Sequence, residues 1–188
     1  MFTISQAGSA EQTITKSRFI AMAMHCADER SVGMALRQFA SQHQNAHHLA
    51  YAFRIKTEQG VVQRFSDAGE PSGTAGMPVL KLIEGRDLIN VCVGVIRYYG
   101  GINLGTGGLA RAYGGTAKLA LDAAKTITFV EMKTIAMTID YKQMDLITRA
   151  VSHAEGNILN KAFNNQIDLV ISLPVDEVAG FIARFKQY

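Results

Sequence analysis

Much of the chemistry that sorts small proteins into classes is scarce in these 188 residues. There are only two cysteines, Cys26 and Cys92. Both lie in apolar, strand-like runs, with neither metal-ligand spacing nor the density of a disulfide framework, so they read as small buried hydrophobes in a reducing compartment. No apolar run approaches the length that spans a bilayer. The start, Met1-Phe2-Thr3-Ile4-Ser5-Gln6-Ala7, has no basic segment ahead of an apolar stretch, which excludes a signal peptide and leads to the expectation of a cytoplasmic protein with no membrane partner. There is no basic run, RNP aromatic motif, zinc finger or internal repeat. No serine is framed as a nucleophile elbow, which makes acyl transfer by Ser66, His48 and Asp67 a poor reading.

What is present is ordinary for a globular protein. Hydrophobic residues make up 48% and charged residues 19%, enough for a real core in one or two domains. The formal net charge is +3, well short of a dedicated nucleic-acid protein. It is unevenly shared: residues 1–127 hold 13 Lys/Arg against 9 Asp/Glu, and residues 128–188 hold 6 against 7. A polyanion would therefore meet the first part of the chain.

The most informative stretch is Arg97-Tyr98-Tyr99-Gly100-Gly101-Ile102-Asn103-Leu104-Gly105-Thr106-Gly107-Gly108. It follows a strand-like run over 88–96 and leads into a helix-like run over 109–124. Glycine lets backbone N–H groups converge, and the helix that follows adds the positive end of its dipole. Such a loop can hold an anion between Arg97 and Arg111; it is equally a tight turn whose glycines allow close packing. No Lys follows the glycines, which excludes a Walker A loop, and the Gly-x-Gly-x-x-Ala within it lacks the acidic partner on a second parallel strand. A cofactor is therefore not expected.

A second polar loop runs from 66 to 76. Asp67 and Glu70 there read either as turn chemistry or as acids facing His47, His48 and Arg97 across a cleft. His47 and His48 point to opposite faces if their segment is a strand, so at most one of them can serve a site on a given face. With no third His or Cys at zinc spacing, no metal is expected. Gly114 and Gly115 lie inside the helix after the main loop at a cost of about 1 kcal/mol each, for which close packing on a sheet is one explanation.

Taken in order, 16–27 reads as a strand, and Asp28 caps a helix to about residue 43. Residues 46–57 and 61–65 form a hairpin, and a short helix covers 77–84. Beyond about 126 the pattern becomes strand 132–141, helix 143–154, strands 158–163 and 167–173, and a helix opened by Pro174 and running to 185. This is a ferredoxin-like β-α-β-β-α order without a final strand.

Four blocks in order carry a family resemblance: Lys16-Ser17-Arg18-Phe19-Ile20; Ala46-His47-His48; Phe65 to Gly76; and Arg97 to Gly101 with Leu104 to Leu109. Together they resemble the signature of the IMPACT/YigZ family, whose eukaryotic relatives act in translational control. The resemblance implies an α+β protein of two domains, 1–127 and 128–188. The first would be a mixed sheet with helices on one face, like the second domain of a small-subunit ribosomal protein. The second would be ferredoxin-like, as in domain V of elongation factor G, with one more strand than this chain supplies. Because the blocks begin within the first twenty residues, the resemblance leads to the expectation that the amino-terminal partner-binding module of eukaryotic IMPACT has no counterpart here.

The expected function is RNA or ribosome binding in regulation of translation. Arg97 and Arg111 would meet phosphates, Tyr98 or Tyr99 would stack, and the backbone of Gly100, Gly101, Gly105, Thr106, Gly107 and Gly108 would complete the cradle. The alternative is an enzyme acting on a small phosphorylated or carboxylated ligand in a cleft of His48, Asp67, Glu70 and Arg97. The absence of a recognisable nucleophile, metal set or cofactor motif ranks it second.

Overall fold

The computed structural model describes residues 1–185. In chain order the elements are β1 (Phe2–Gln6), β2 (Gly8–Ile14), β3 (Ser17–His25), α1 (Glu29–Ser41), β4 (His48–Thr57), β5 (Gly60–Ser66), α2 (Gly76–Gly85), β6 (Val91–Tyr98), α3 (Gly105–Ala123), β7 (Lys125–Thr128), β8 (Met132–Ile139), α4 (Met144–His153), β9 (Asn157–Phe163), β10 (Ile167–Pro174) and α5 (Val175–Phe185). They fall into two compact units, Met1–Phe129 and Val130–Tyr188. The architecture is thus α+β in two domains, as expected.

The first unit is built on a five-stranded sheet of order β2-β3-β6-β4-β5, beside which β1 and β7 form a two-stranded ribbon. Every pairing in the larger sheet is antiparallel, which corrects the expectation of a mixed sheet. The helices also do not share one face. Phe19, Ala21 and Ala23 of β3 pack with Val79 of α2 and Tyr113 of α3, whereas Ile20 and Met22 pack with Phe39 of α1. Both parities of β3 are apolar, so both of its faces need a cover, and α1 supplies the second. For the same reason the central strand β6 reads as an unbroken hydrophobic run: Val91, Cys92, Val93, Val95 and Ile96 are all fully buried.

The α3 side of the sheet is lined with small residues. Ala21, Ala23, Ala50 and Ala52 face Ala112, Ala117 and Ala120, and this lets a long helix lie close against the strands. α1 starts where the sequence places it: Asp28 accepts from the Ser31 N–H at 2.6 Å, and the Ser31 hydroxyl closes the capping box. α3 starts four residues earlier than its apolar pattern suggests, so Gly105, Gly107 and Gly108 form its first turn and are not loop. β1, β2 and β7 escape sequence reading because they are short or weakly apolar edge elements. β2 is held instead by polar contacts such as Gln12 Nε2 donating to Thr116 Oγ1 at 2.6 Å.

The second unit is a three-stranded antiparallel sheet, β8-β10-β9, whose inner face packs Leu169, Ile171 and Leu173 against Ile147 of α4 and Phe181 of α5. The further strand implied by the family resemblance would follow α5, outside the described residues.

Two sets of glycines separate clearly. A Cβ on Gly114 would sit 3.5 Å from Pro78, and one on Gly115 would sit 3.5 Å from Gln12, both ordinary contacts. At Gly100 the same atom would overlap the backbone of Lys16 and Ser17. Thermal or urea unfolding should therefore show Gly115→Ala stabilised by up to about 1 kcal/mol, from improved helix propensity. Gly100→Ala should be destabilised by about 1–3 kcal/mol, because neither backbone can give way.

Candidate functional site

The polar loop 66–76 is organised by Asp67. Its Oδ1 accepts the N–H groups of Ala75 and Gly76 at 2.9 and 2.8 Å, and its Oδ2 accepts that of Gly73 at 2.7 Å. Asp67 therefore folds the loop onto the start of α2 and is engaged internally. Burial alone would raise its pKa, but the backbone donors from Gly73, Ala75 and Gly76 outweigh it and hold the carboxyl below the ordinary range.

That loop places Glu70 at the centre of a buried cluster. Glu70 Oε1 accepts from Arg97 Nη1 at 2.7 Å and from the Tyr113 hydroxyl at 2.8 Å. The Glu70 and Arg97 side chains are each only 5% exposed. Arg97 Nη2 donates to Ser17 Oγ at 3.3 Å, and the same oxygen accepts the Gly100 N–H at 3.1 Å. The guanidinium lies between the rings of Phe19 and Tyr99, 5.5 and 5.1 Å from their centroids, while its Nε has no hydrogen-bond partner among the described residues. Burial, and next the Glu70 carboxylate, push the Tyr113 hydroxyl well above its ordinary pKa, so it stays a donor.

The two histidines diverge. His48 Nδ1 lies 2.8 Å from the carbonyl oxygen of Ala68, which only accepts, so that nitrogen carries the proton. Its Nε2 lies 3.9 Å from Glu70 Oε1. His47 is exposed just before β4 and accepts the Tyr99 N–H at its Nδ1, 3.2 Å away. The tyrosines diverge as well. Tyr99 is 39% exposed beside the glycine loop and donates to Asn103 at 3.0 Å. Tyr98 lies on the α1 face of the sheet, pairing with His43 at 3.0 Å and lying beneath Arg18, so it does not join the cluster.

Beyond Tyr99 the chain turns through Gly101, at φ +83°, and Gly105, at φ +68°. α3 then begins with Leu104 as its N-cap, a residue that makes no side-chain cap hydrogen bond. The N–H groups of its first turn open onto a cleft of about 380 Å3 lined by Glu70, Pro71, Arg97, Asn103, Leu104 and Thr106. One turn into the helix Arg111 is exposed, its guanidinium folded over Gly107, 3.5 Å from where a Cβ would sit.

The acids nearby are all engaged: Asp67 by backbone, Glu70 by Arg97 and Tyr113, Glu11 by Arg18 at 2.6 Å. Arg111 and Lys16 have no acidic partner among the described residues. Tyr113 and Ser17 are site residues that sequence reading passed over. Tyr113 is the one aromatic side chain in a helix rich in glycine and alanine, a signal that was available. Ser17 had none beyond its place in a matched block.

Because the Asp67 carboxyl is held low in the folded chain, its stabilising contribution is present above the ordinary carboxylate range. It is lost as pH falls through about 4 and below. Asp67→Asn should unfold more readily at neutral pH, by about 1–3 kcal/mol, and show a shallower loss of stability between about pH 5 and 2 than the parent protein, measured by urea titration at each pH.

Comparison with known proteins agrees with these features. Residues 15–121, which hold every group of the cluster, match the model of the Impact N-terminal domain. An IMPACT family member of Haemophilus influenzae is 35% identical over 178 residues, covering 94% of this chain and 86% of that protein. The IMPACT family member YigZ of Escherichia coli K12 is 33% identical over 178 residues, covering 94% and 87%. A crystal structure described as that of a hypothetical protein superposes with a TM-score of 0.74 at 31% identity, over 99% of this chain and 91% of its own. By its matched domain, its relatives and its fold, the chain belongs to the IMPACT family.

Proposed function

We propose that the first unit binds phosphate groups of RNA, free or in the ribosome, and that the protein acts in regulation of translation. The observation that carries this reading is the uncapped N-terminus of α3 opening onto the cleft beside an unpaired Arg111, while each neighbouring acid is engaged internally. A backbone N–H cluster with a helix dipole and a free guanidinium favours an oxyanion. The modest excess of positive charge that residues 1–127 carry supports a polyanion as the ligand. RNA is the polyanion that a protein of translational control would meet, and the family resemblance implies that setting.

Within the reading the roles differ from a simple pair of arginines. Arg111 is the phosphate-contacting cation. Arg97, held by Glu70 and Ser17, forms the floor and keeps the Tyr99 ring in place beneath an incoming ribose or base. A second reading is favoured by one observation. The Ala68 carbonyl fixes His48 in the tautomer whose Nε2 can accept a proton, and that atom faces Glu70. This is an arrangement suited to acid–base work on a small phosphorylated ligand.

The test is binding of a short labelled single-stranded RNA and of ribosomes over a salt series. Arg111→Ala should weaken RNA binding roughly three- to tenfold and lower the slope of log affinity against log salt by about 1. Lys81→Ala, which removes the same charge from an exposed position on α2, should change neither. Absence of binding by the parent protein at low salt would overturn the reading. Turnover of chromogenic phosphoesters that is lost in His48→Asn would favour the second.

A further inference from the structure

Cys26 and Cys92, 66 positions apart and the only cysteines in the chain, are brought together by the sheet. In the β3–β6 ladder Met24 stands opposite Cys92, and the Cys26 N–H continues the ladder by donating to the Asn90 carbonyl at 2.9 Å. Cys26 therefore lies diagonally across from Cys92 on the same face, and both pack in one small cluster with Val32, Phe53 and Ile55 beneath α1. We propose that these two thiols form a reversible intramolecular disulfide when the protein meets a hydroperoxide, making this face of the first unit a redox-modified site.

The two thiols are not equivalent. Cys26 is 1% exposed, but it lies past the end of β3 and between the exposed residues His25 and Ala27, so only a small local opening reaches it. Cys92 sits inside the central strand between buried Val91 and Val93. The hydrogen bond from Cys92 holds the Cys26 thiol below its ordinary pKa, against burial and with a further hydrogen bond involving Ser31. The same bond, with burial, pushes Cys92 well up. Cys26 is thus the nucleophile and Cys92 the resolving thiol.

In the first step the Cys26 thiolate attacks the peroxide. A sulfur–oxygen bond forms as the oxygen–oxygen bond breaks, leaving a sulfenic acid and water or an alcohol. In the second the Cys92 sulfur attacks that sulfenic sulfur, the sulfur–sulfur bond forms and a second water leaves. Overall the thiols lose two protons and two electrons to the peroxide.

The geometry also accounts for reversibility. Diagonal neighbours in an antiparallel pair have Cα atoms about 7–8 Å apart, a little wider than the roughly 4.4–6.8 Å of relaxed disulfides. Closure therefore draws Cys26 inward. This is possible because Cys26 is outside the strand, and it displaces the connection to Asp28, the cap of α1. A bridge formed against that displacement is one that thiol reductants reopen readily.

The experiment uses the full chain, reduced and transferred to thiol-free buffer, then treated with hydrogen peroxide and quenched. Intact mass should fall by two hydrogens, and the alkylatable thiols counted in denaturant should fall from two to none. A cross-linked peptide pair containing Cys26 and Cys92 should appear, and dithiothreitol should restore the starting state. Cys92→Ala should stop at a dimedone-reactive sulfenic acid on Cys26. Two free thiols after oxidation, linkage only between chains, or oxidation of Cys26 to sulfinic acid in the parent protein with no bridge would each overturn the proposal. Because the decisive readout is on the parent protein, poor folding of a variant leaves the result intact.

Discussion

The first domain depends on one buried carboxylate. Glu70 accepts from a guanidinium on the central strand and from a phenol on the long helix, and it reaches both because Asp67 has already folded the loop that carries it. Burying an ion pair this deeply costs several kcal/mol in desolvation, which the attraction offsets only when the remaining donors and acceptors are also satisfied. Ser17, Tyr113 and the two aromatic rings flanking Arg97 provide most of that, and the Arg97 Nε is the one atom left over. Loop, sheet and helix are therefore registered to one another by polar contacts at one end of the sheet and by alanine packing along the rest.

The same arrangement decides what the surface is free to do. An acid beside a helix N-terminus would occupy it as an internal ligand, and here no acid can, because each one has a prior partner. The cluster leaves the first turn of α3 and Arg111 as open valences facing water. What is left unneutralised at the start of α3 thus follows from how the neighbouring acids are tied down, not from an accumulation of basic residues. A net charge of +3 for the whole chain gave little hint of it.

The order of most elements was legible from the chain because their periodicities are strong: the capping box at Asp28, the hairpin around Gly60 and the alternation in β8 all appear where residue spacing puts them. The two-sided burial of the sheet was also written in β3, where both parities are apolar, but recognising it requires knowing that a second helix has nowhere else to go. The beginning of α3 was hidden because glycines carry no helical signal, and the N-terminal strands because edge strands with polar anchors resemble loops. At the site, the types of residue were readable and their roles were not. The fold ties Arg97 to Glu70 while leaving it on the cleft wall, strand alternation sends Tyr98, one of the two candidates for stacking, to the other face, and the register brings together two cysteines whose spacing suggested no pairing.

The close approach of Gly100 to the turn before β3 has an evolutionary consequence. That turn runs through Thr15 and Lys16, both in the left-handed region, at φ 44° and 66°, so it is already an uncommon conformation. The glycine loop passes directly over its backbone, with room for a hydrogen atom and nothing larger. Position 100 is therefore closed to every residue with a side chain for as long as the turn keeps its path, and the turn cannot be rerouted without releasing the loop. Two segments more than eighty residues apart are bound to drift together or not at all, however much the rest of the surface changes.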